Sequence, residues 1–300
     1  MLNTIKSLNE ALQFLYKNGL DTSEFIYRGQ NNVDWGLQPS VYRYKNLLRY
    51  QTVVFENLLL QSKPYIPMSP LTVTNHDLEW LMTCQHYGIP TRLLDWSKDP
   101  LVGLFFACYD SQIKDKDGAL FVAKKADYEQ ILKFSDFNEI QTQRDKGEIV
   151  FFESNTPNPR MRSQSGCFML WDSYPLDKSV STESYDLFEY QKRRPEAFFV
   201  KKIIIPSKYK KLILNQLKNN YQIDEEILLQ NNKPISLHFA PRFQKLKANI
   251  LIKTLWMTDA ESLKGNEYFK ALVLTGEGNM RDSFKNCDNL SSLILGRKPI

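Results

Sequence analysis

Three short stretches of the chain carry polar and aromatic residues dense enough to do chemistry. The first runs Phe25-Ile26-Tyr27-Arg28-Gly29-Gln30 and on through Trp35 to Arg43. The second runs from Leu81 to Ala107 and holds Gln85-His86-Tyr87-Gly88, Thr91-Arg92-Leu93-Leu94-Asp95-Trp96-Ser97 and Asp99-Pro100. The third is Asn158-Pro159-Arg160-Met161-Arg162-Ser163-Gln164-Ser165-Gly166-Cys167-Phe168. A guanidinium presents a rigid fork of N–H donors that grips phosphate or carboxylate. Arg28 leads the anion-binding candidates on that ground, followed by Arg160 and Arg162 in their proline-flanked loop. Arg92 either pairs with Asp99 or binds a phosphate. Metal chemistry has little to stand on. The histidines are only His76, His86 and His238, and the four cysteines are scattered without a C-x-x-C pair. Asp95, Asp99 and Glu148 could hold a magnesium ion for a nuclease, but they lack a recognisable nuclease spacing. The phosphate-cradling patterns G-x-x-x-x-G-K-[ST] and G-x-G-x-x-G do not occur.

Together the three stretches resemble the FRG domain, named for the Phe/Tyr-Arg-Gly element that stands here as Tyr27-Arg28-Gly29. The run from Gln85 to Trp96 is similar to that family's Gln-His-Tyr-Gly-x-Pro-Thr-Arg-Leu-Leu-Asp-Trp. The third stretch looks like its Arg-x-x-x-Gln-x-Gly-x-Phe element, and Leu217 to Ile223 resembles its closing helix and turn. The resemblance spans roughly residues 4–230 and sets the expected domain, 1–230, apart from a basic appendage over 231–300 that packs on it or extends it.

A second resemblance, to ADP-ribosyltransferases of the Arg-Ser-Glu type, suggests a reaction. Tyr27-Arg28-Gly29, then Asp95-Trp96-Ser97 ahead of an Ala- and Phe-rich helix, then Gln164-Ser165-Gly166 follow that family's order. The resemblance implies NAD as substrate and no metal. It implies catalytic roles for Arg28, Asp95 and Gln164. The substrate would be bound by Tyr27, Gly29, Gln30, Thr91, Arg92, Ser97 and Arg160. Arg28 would grip the pyrophosphate, Gly29 would admit a nicotinamide amide, and Ser97 would bond the nicotinamide end. Trp96, Tyr87 or Tyr27 would stack on the ring. The transferase glutamate, whose charge steadies an oxocarbenium ion, is replaced by Gly166, with Gln164 two residues before it. Asp95, Glu148 or Glu153 would then supply the charge.

Each residue also has a plainer explanation. Arg28 and Asp95 could be a buried pair locking two strands. His86 suits the end of a helix. Trp35, Trp80, Trp96 and Phe105-Phe106 fit a core, and Cys84, Cys108 and Cys167 fit small buried hydrophobes. Lys201-Lys202 and Lys210-Lys211 fit solvated charges.

The elements that must position these groups show in the spacing. Ile5, Leu8, Leu12, Leu15 and Tyr16 predict a helix stopped by Gly19. Phe25–Tyr27 predicts a strand leading into Arg28. Helices are expected over Val53–Gln61 and Asp77–Tyr87, the latter ending at Gly88. Thr91–Trp96 predicts a strand, and Asp99-Pro100 starts a helix buried through Leu101, Leu104, Phe105 and Cys108. Gly118–Ala123 and Ala197–Ile205 predict strands, with Pro206 ending the second and Ser207 capping a helix over Tyr209–Leu217. Residues 125–162 read as an irregular insertion, and Ala248–Trp256 as an apolar helix. The irregular alternation predicts an α+β fold: a mixed, mostly antiparallel split sheet with flanking helices, ADP-ribosyltransferase-like.

Composition agrees. The chain has 300 residues, 42% hydrophobic and 24% charged, with mean hydropathy −0.42. Its net charge is +5, all of it in residues 231–300, where 11 Lys and Arg face 6 Asp and Glu. No apolar run spans a membrane and no leader pattern opens the chain, so a cytoplasmic protein without a membrane partner is expected. The leading expectation is an NAD-dependent ADP-ribosyltransferase-like effector, a toxin or anti-phage defence protein with a macromolecular target and an antitoxin or regulatory partner. The alternative is a non-catalytic module that binds a nucleotide or nucleic acid.

Overall fold

The computed structural model describes residues 3–43, 55–56, 58–60, 77–109, 115–125, 150–153, 159–170, 199–229, 247 and 250. In chain order these form β1 (Asn3–Thr4), α1 (Leu8–Lys17), β2 (Phe25–Gln30), α2 (Asp77–His86), β3 (Leu93–Ser97), α3 (Pro100–Cys108), β4 (Gly118–Lys124), β5 (Val150–Phe152), α4 (Pro159–Ser163), β6 (Gly166–Leu170), β7 (Val200–Ile205), α5 (Ser207–Tyr221) and α6 (Glu225–Leu229). The chain divides into two compact units. One joins Met1–Gln38 to Leu93–Lys233, the other Pro39–Arg92 to Pro234–Ile300.

The first unit carries the sheet. Among the described residues seven strands run in the order β1-β7-β4-β2-β3-β6-β5. Only β1 and β7 pair in parallel; every other neighbouring pair is antiparallel. The fold is α+β, with an open, mostly antiparallel sheet and flanking helices. Helix α1 begins where Ser7 Oγ accepts the Glu10 N–H at 3.2 Å, and it buries Leu8, Ala11 and Leu15. It stops as expected at Gly19, whose φ of 63° lets the Leu20 N–H return to the Leu15 carbonyl at 2.9 Å. Helix α3 starts with Pro100 at its first position, and Asp99 Oδ1 accepts the Leu101 N–H at 2.8 Å. Leu15, Tyr27, Leu104, Leu120, Ile203 and Ile213 belong to one apolar cluster that joins α1, α3 and α5 to β2, β4 and β7.

Several bounds differ from expectation. The strand after Arg92 is Leu93–Ser97 rather than Thr91–Trp96, and the one before Pro206 begins at Val200, with 197–198 outside the described residues. The stretch 125–162 is not wholly irregular: it holds β5 and the start of α4. Ser207 lies inside α5. Pro206 takes the cap position without a side-chain bond, and Asp117 Oδ1, from the turn before β4, accepts the Ser207 N–H at 2.8 Å.

Lys202 and Lys210 are not solvated charges. Lys210 is 5% exposed and donates to the Asn31 carbonyl at 2.5 Å; Lys202 donates to the Val33 carbonyl at 2.8 Å. Lys116 pairs with Asp34 at 2.8 Å. Three ammonium groups thus hold the loop that follows β2. A buried ammonium without carbonyl partners would cost several kcal/mol.

In the second unit, α2 ends at Gly88, whose φ is 79°, with the Ile89 N–H on the Cys84 carbonyl at 2.9 Å. Residues 55–56 and 58–60 are helical, inside the expected Val53–Gln61 helix. Trp80 Nε1 donates to the Leu59 carbonyl at 2.9 Å. Of the expected Ala248–Trp256 helix, only Ile250 is described; it is helical and buried. No helix among the described residues is long and apolar enough to cross a membrane.

Candidate functional site

Strands β2, β3 and β6 are neighbours, so the three chemistry-bearing stretches enter one region of the sheet. Their joining is uneven. β2 pairs with β4 at six positions, Phe25 to Gln30, and β3 pairs with β6 at five, Leu93 to Ser97. Between β2 and β3 there is one register pair, Tyr27 with Ser97. Just beyond it the Arg28 guanidinium donates to the Asp95 main-chain carbonyl at 2.6 Å. A side chain thus supplies a bond where two fully laddered strands would use backbone N–H groups. The Asp95 carboxylate lies 4.0 Å from the same guanidinium nitrogen and is 58% exposed, whereas Arg28 is 16% exposed. The pair is therefore half open, not the sealed strand lock of the plainer reading.

Arg160 stands on α4, which leads into β6 beside β3. Burial lowers its pKa, and the charge of Asp95 acts against that shift, so the Asp95 carboxylate is within its electrostatic reach. A second guanidinium thus stands within coulombic range of the exposed carboxylate that Arg28 contacts.

Ser97 and Gln164 meet, though not as ligand-facing groups. Ser97 is 5% exposed; its Oγ donates to the Gln164 carbonyl at 2.7 Å and accepts the Asp99 N–H at 2.9 Å. The Gln164 carboxamide Nε2 donates to the Leu228 carbonyl of α6 at 2.9 Å. Both side chains tie the turn before β6 to its surroundings. Gly166, which the transferase resemblance sets in the glutamate position, stands close under α4: a Cβ there would lie 3.3 Å from the Met161 carbonyl.

Tyr27 is 1% exposed and donates its hydroxyl to the Leu20 carbonyl at 2.5 Å. Burial, then the charges of Asp21 and Asp99, push its pKa up to about 12. It is a core residue, and of the three rings expected to stack this one is packed within the fold. Gly29 is explained by helix packing: a Cβ there would lie 2.1 Å from the Gly103 carbonyl and 2.2 Å from the Ala107 nitrogen of α3. The side from which a nicotinamide amide was expected to approach that missing Cβ is backbone. Gln30 is 3% exposed, with Nε2 on the Gly36 carbonyl at 3.3 Å.

Thr91 and Arg92 belong to the second unit. Arg92 forms a buried ion pair with Glu56, their side chains 1% and 6% exposed, a partner the sequence does not point to. Its charge is spent there. The Thr91 N–H donates to Ser40 Oγ at 3.2 Å, and the Thr91 hydroxyl to Gln85 Oε1. Tyr87 packs edge-on against His86 at 5.0 Å, with His86 in the last turn of α2 as expected.

Of the carboxylates expected to supply the transferase charge, Glu153 is held by Lys98 at 2.7 Å and Lys125 at 3.6 Å. Glu148 lies outside the described residues. Cys84, Cys108 and Cys167 are buried free thiols, and burial raises each pKa, that of Cys108 to about 12. Nothing activates them as nucleophiles. No cluster of three metal-ligating side chains occurs among the described residues.

Sequence reasoning missed Lys210, Lys202 and Asp117. A signal existed for the first: Lys210, Ile213 and Leu217 share the buried stripe of α5, so the lysine had to find a buried partner.

Residues 23–116 match the family model described as the FRG domain. That stretch covers β2, β3 and α3 and ends before α4 and β6. No curated protein and no solved structure matches the chain.

Proposed function

We propose that the first unit is a binding module for a nucleotide, gripped through its phosphates by Arg28 and Arg160, with Asp95 accepting from a ribose hydroxyl. The observation that carries this reading is the half-open Arg28–Asp95 pair at the thin join between β2 and β3, with Arg160 within coulombic range of the same carboxylate. Guanidinium forks suit a pyrophosphate, and an exposed carboxylate suits a sugar diol. ADP-ribose or NAD is the ligand class that supplies both. The nicotinamide end finds less: Tyr27 is core, Gly29 lies under α3, and Ser97 and Gln164 are committed within the fold.

A second reading, cleavage of NAD, is favoured by one observation. The Asp95 carboxylate is exposed beside Arg28, and it could carry the negative charge that Gly166 and Gln164 do not. In that reaction the bond from ribose C1′ to the nicotinamide nitrogen breaks. Nicotinamide leaves with the electron pair, and a nucleophile on a macromolecular target, or water, bonds to C1′. An effector role as toxin or defence protein, with an antitoxin or regulatory partner, belongs to this reading.

Calorimetric titration of the full chain with NAD, ADP-ribose and ATP tests the first reading. The expected result is binding of a pyrophosphate nucleotide that Arg28→Gln weakens at least tenfold. Absence of binding by any of the three sinks it. Release of nicotinamide from NAD, lost in Asp95→Asn, would move the assignment to the second reading.

A further inference from the structure

The join between β2 and β3 carries two more polar groups with unmet bonding capacity. Gln30 and Trp96 are each 3% exposed, and the carboxamide Oε1 of one and the indole Nε1 of the other have no hydrogen-bond partner among the described residues. Trp96 stands one position from the Tyr27–Ser97 pair along β3, and Gln30 stands two beyond Arg28 along β2. They flank the one place in the sheet, among the described residues, where neighbouring strands share a single pair. A sealed, unpartnered donor or acceptor is costly, and in a native fold it calls for an explanation.

Three other features make the join easy to part. Its ladder is one pair long. The guanidinium that bridges it bonds a carbonyl that a phosphate would outcompete, because charge-assisted bonds to an anion are the stronger. The apolar cluster that backs β2, β4 and β7 contains no residue of β3 or β6, so parting would draw no residue of those strands out of it.

From these features we infer that the β2–β3 join opens to admit ligand, and that Gln30 Oε1 and Trp96 Nε1 then read a planar edge bearing one donor and one acceptor. A nucleobase or a carboxamide has that edge: its N–H meets the Gln30 oxygen, and its ring nitrogen or carbonyl meets the indole N–H. The inference rests on the nucleotide-binding reading and adds specificity to it. Arg28 holds the phosphate, and Gln30 and Trp96 choose what is attached to it.

The test compares three probes on the full chain by calorimetry. ADP-ribose offers a purine edge, nicotinamide mononucleotide a carboxamide edge, and ribose 5-phosphate neither. Wild type is expected to bind one of the first two at least tenfold more tightly than ribose 5-phosphate, and which one identifies the edge. Gln30→Met and Trp96→Phe are expected to erase that preference and to leave ribose 5-phosphate affinity within twofold. Arg28→Gln is expected to weaken all three. A preference that survives in both folded variants overturns the inference and spares the parent reading. Wild type binding no probe overturns the parent reading and this one with it. Hydrogen exchange on wild type keeps the question open to refutation should a variant not fold. Amides of residues 25–30 and 93–97 are expected to change protection when the preferred probe is added, and no change there overturns the opening.

Discussion

The sheet has two unequal halves, and the candidate chemistry sits where they meet. In one half, β1, β7, β4 and β2 lie beneath α1, α3 and α5, and backbone approaches backbone. Gly29 and Gly118 each press against α3: a Cβ on Gly118 would fall 2.0 Å from the Ala107 carbonyl. In the other half, β3, β6 and β5 meet β2 through one register pair and one guanidinium, with the Lys125–Glu153 pair and the Gln164–Leu228 bond as further ties to the first half. Gly166 there meets nothing closer than 3.3 Å. The contrast teaches how a small domain can hold an arginine rigidly while leaving its neighbour free to yield. Arg28 is fixed by six ladder positions on one side, whereas its carboxylate partner stands on the looser strand.

Glycine substitutions strike that contrast hardest. Gly29→Ala drives a methyl into helix backbone that cannot rotate away, so a loss of about 3 kcal/mol is expected. Gly166→Ala is expected to lose less than about 1 kcal/mol, because the Met161 turn needs to give only a few tenths of an ångström. Urea unfolding followed by circular dichroism measures both. Equal losses would show the halves to be packed alike.

Tyr27→Phe sharpens the picture of the tight half, with an expected cost of about 1 kcal/mol for the bond to the Leu20 carbonyl. The change also carries a pH signature. The folded pKa of Tyr27 is raised to about 12 from 10.0, so the folded state holds the proton more tightly than the unfolded one. The resulting stability is fully present below pH 10 and is lost as pH rises toward 12, by about 1.4 kcal/mol per pH unit. Melts between pH 9 and 11 should show wild type and Tyr27→Phe converging at the alkaline end. Parallel curves would mean that the hydroxyl is not buried.

Ser97→Ala probes the looser half. It removes a donor to the Gln164 carbonyl and leaves the Asp99 N–H without its acceptor. The expected loss is about 1 kcal/mol. Hydrogen exchange should place the added opening at residues 163–168, with β4 and β7 unchanged. Faster exchange in β4 would join the halves more closely than the ladder does.

How much of this was legible in the sequence follows from how local each cause is. The α1 stop at Gly19 and the Asp99-Pro100 start of α3 are written in adjacent residues, and the structure keeps both. The strand order and the meeting of the three stretches follow from pairings far apart in sequence. The family resemblance reached the meeting of the three stretches; the strand order was reached by neither the resemblance nor residue spacing. What stayed hidden was the partner of each polar side chain. Arg92 finds Glu56, Lys210 finds the Asn31 carbonyl, and Gln164 finds the Leu228 carbonyl. No pattern within one segment names an acceptor in another. Gly29 was singled out for close approach. What approaches is a helix, and the small residues Gly103 and Ala107 on α3 were the signal that pointed there.

The smallest expected effect concerns two non-glycine residues with left-handed backbone, Ser165 at φ 48° and Gln222 at φ 57°. Gln222 ends α5, where its N–H returns to the Lys218 carbonyl at 3.0 Å. Ser165 forms the turn between α4 and β6, and its carbonyl accepts the Lys98 N–H at 2.9 Å. Each conformation costs an ordinary residue about 1 kcal/mol, which glycine avoids. Glycine returns part of that, about 0.5 kcal/mol, through the greater freedom of its unfolded chain. The net gain expected for Ser165→Gly or Gln222→Gly is therefore about 0.5 kcal/mol, equal within error by thermal melting. Ligand binding should separate them. The Ser165 turn carries Gln164 and adjoins Arg160, so loosening it should weaken ADP-ribose binding about twofold. Gln222→Gly should leave that affinity unchanged. The same loss in both variants would mean that the turn beside β6 holds the ligand no more closely than the end of a distant helix.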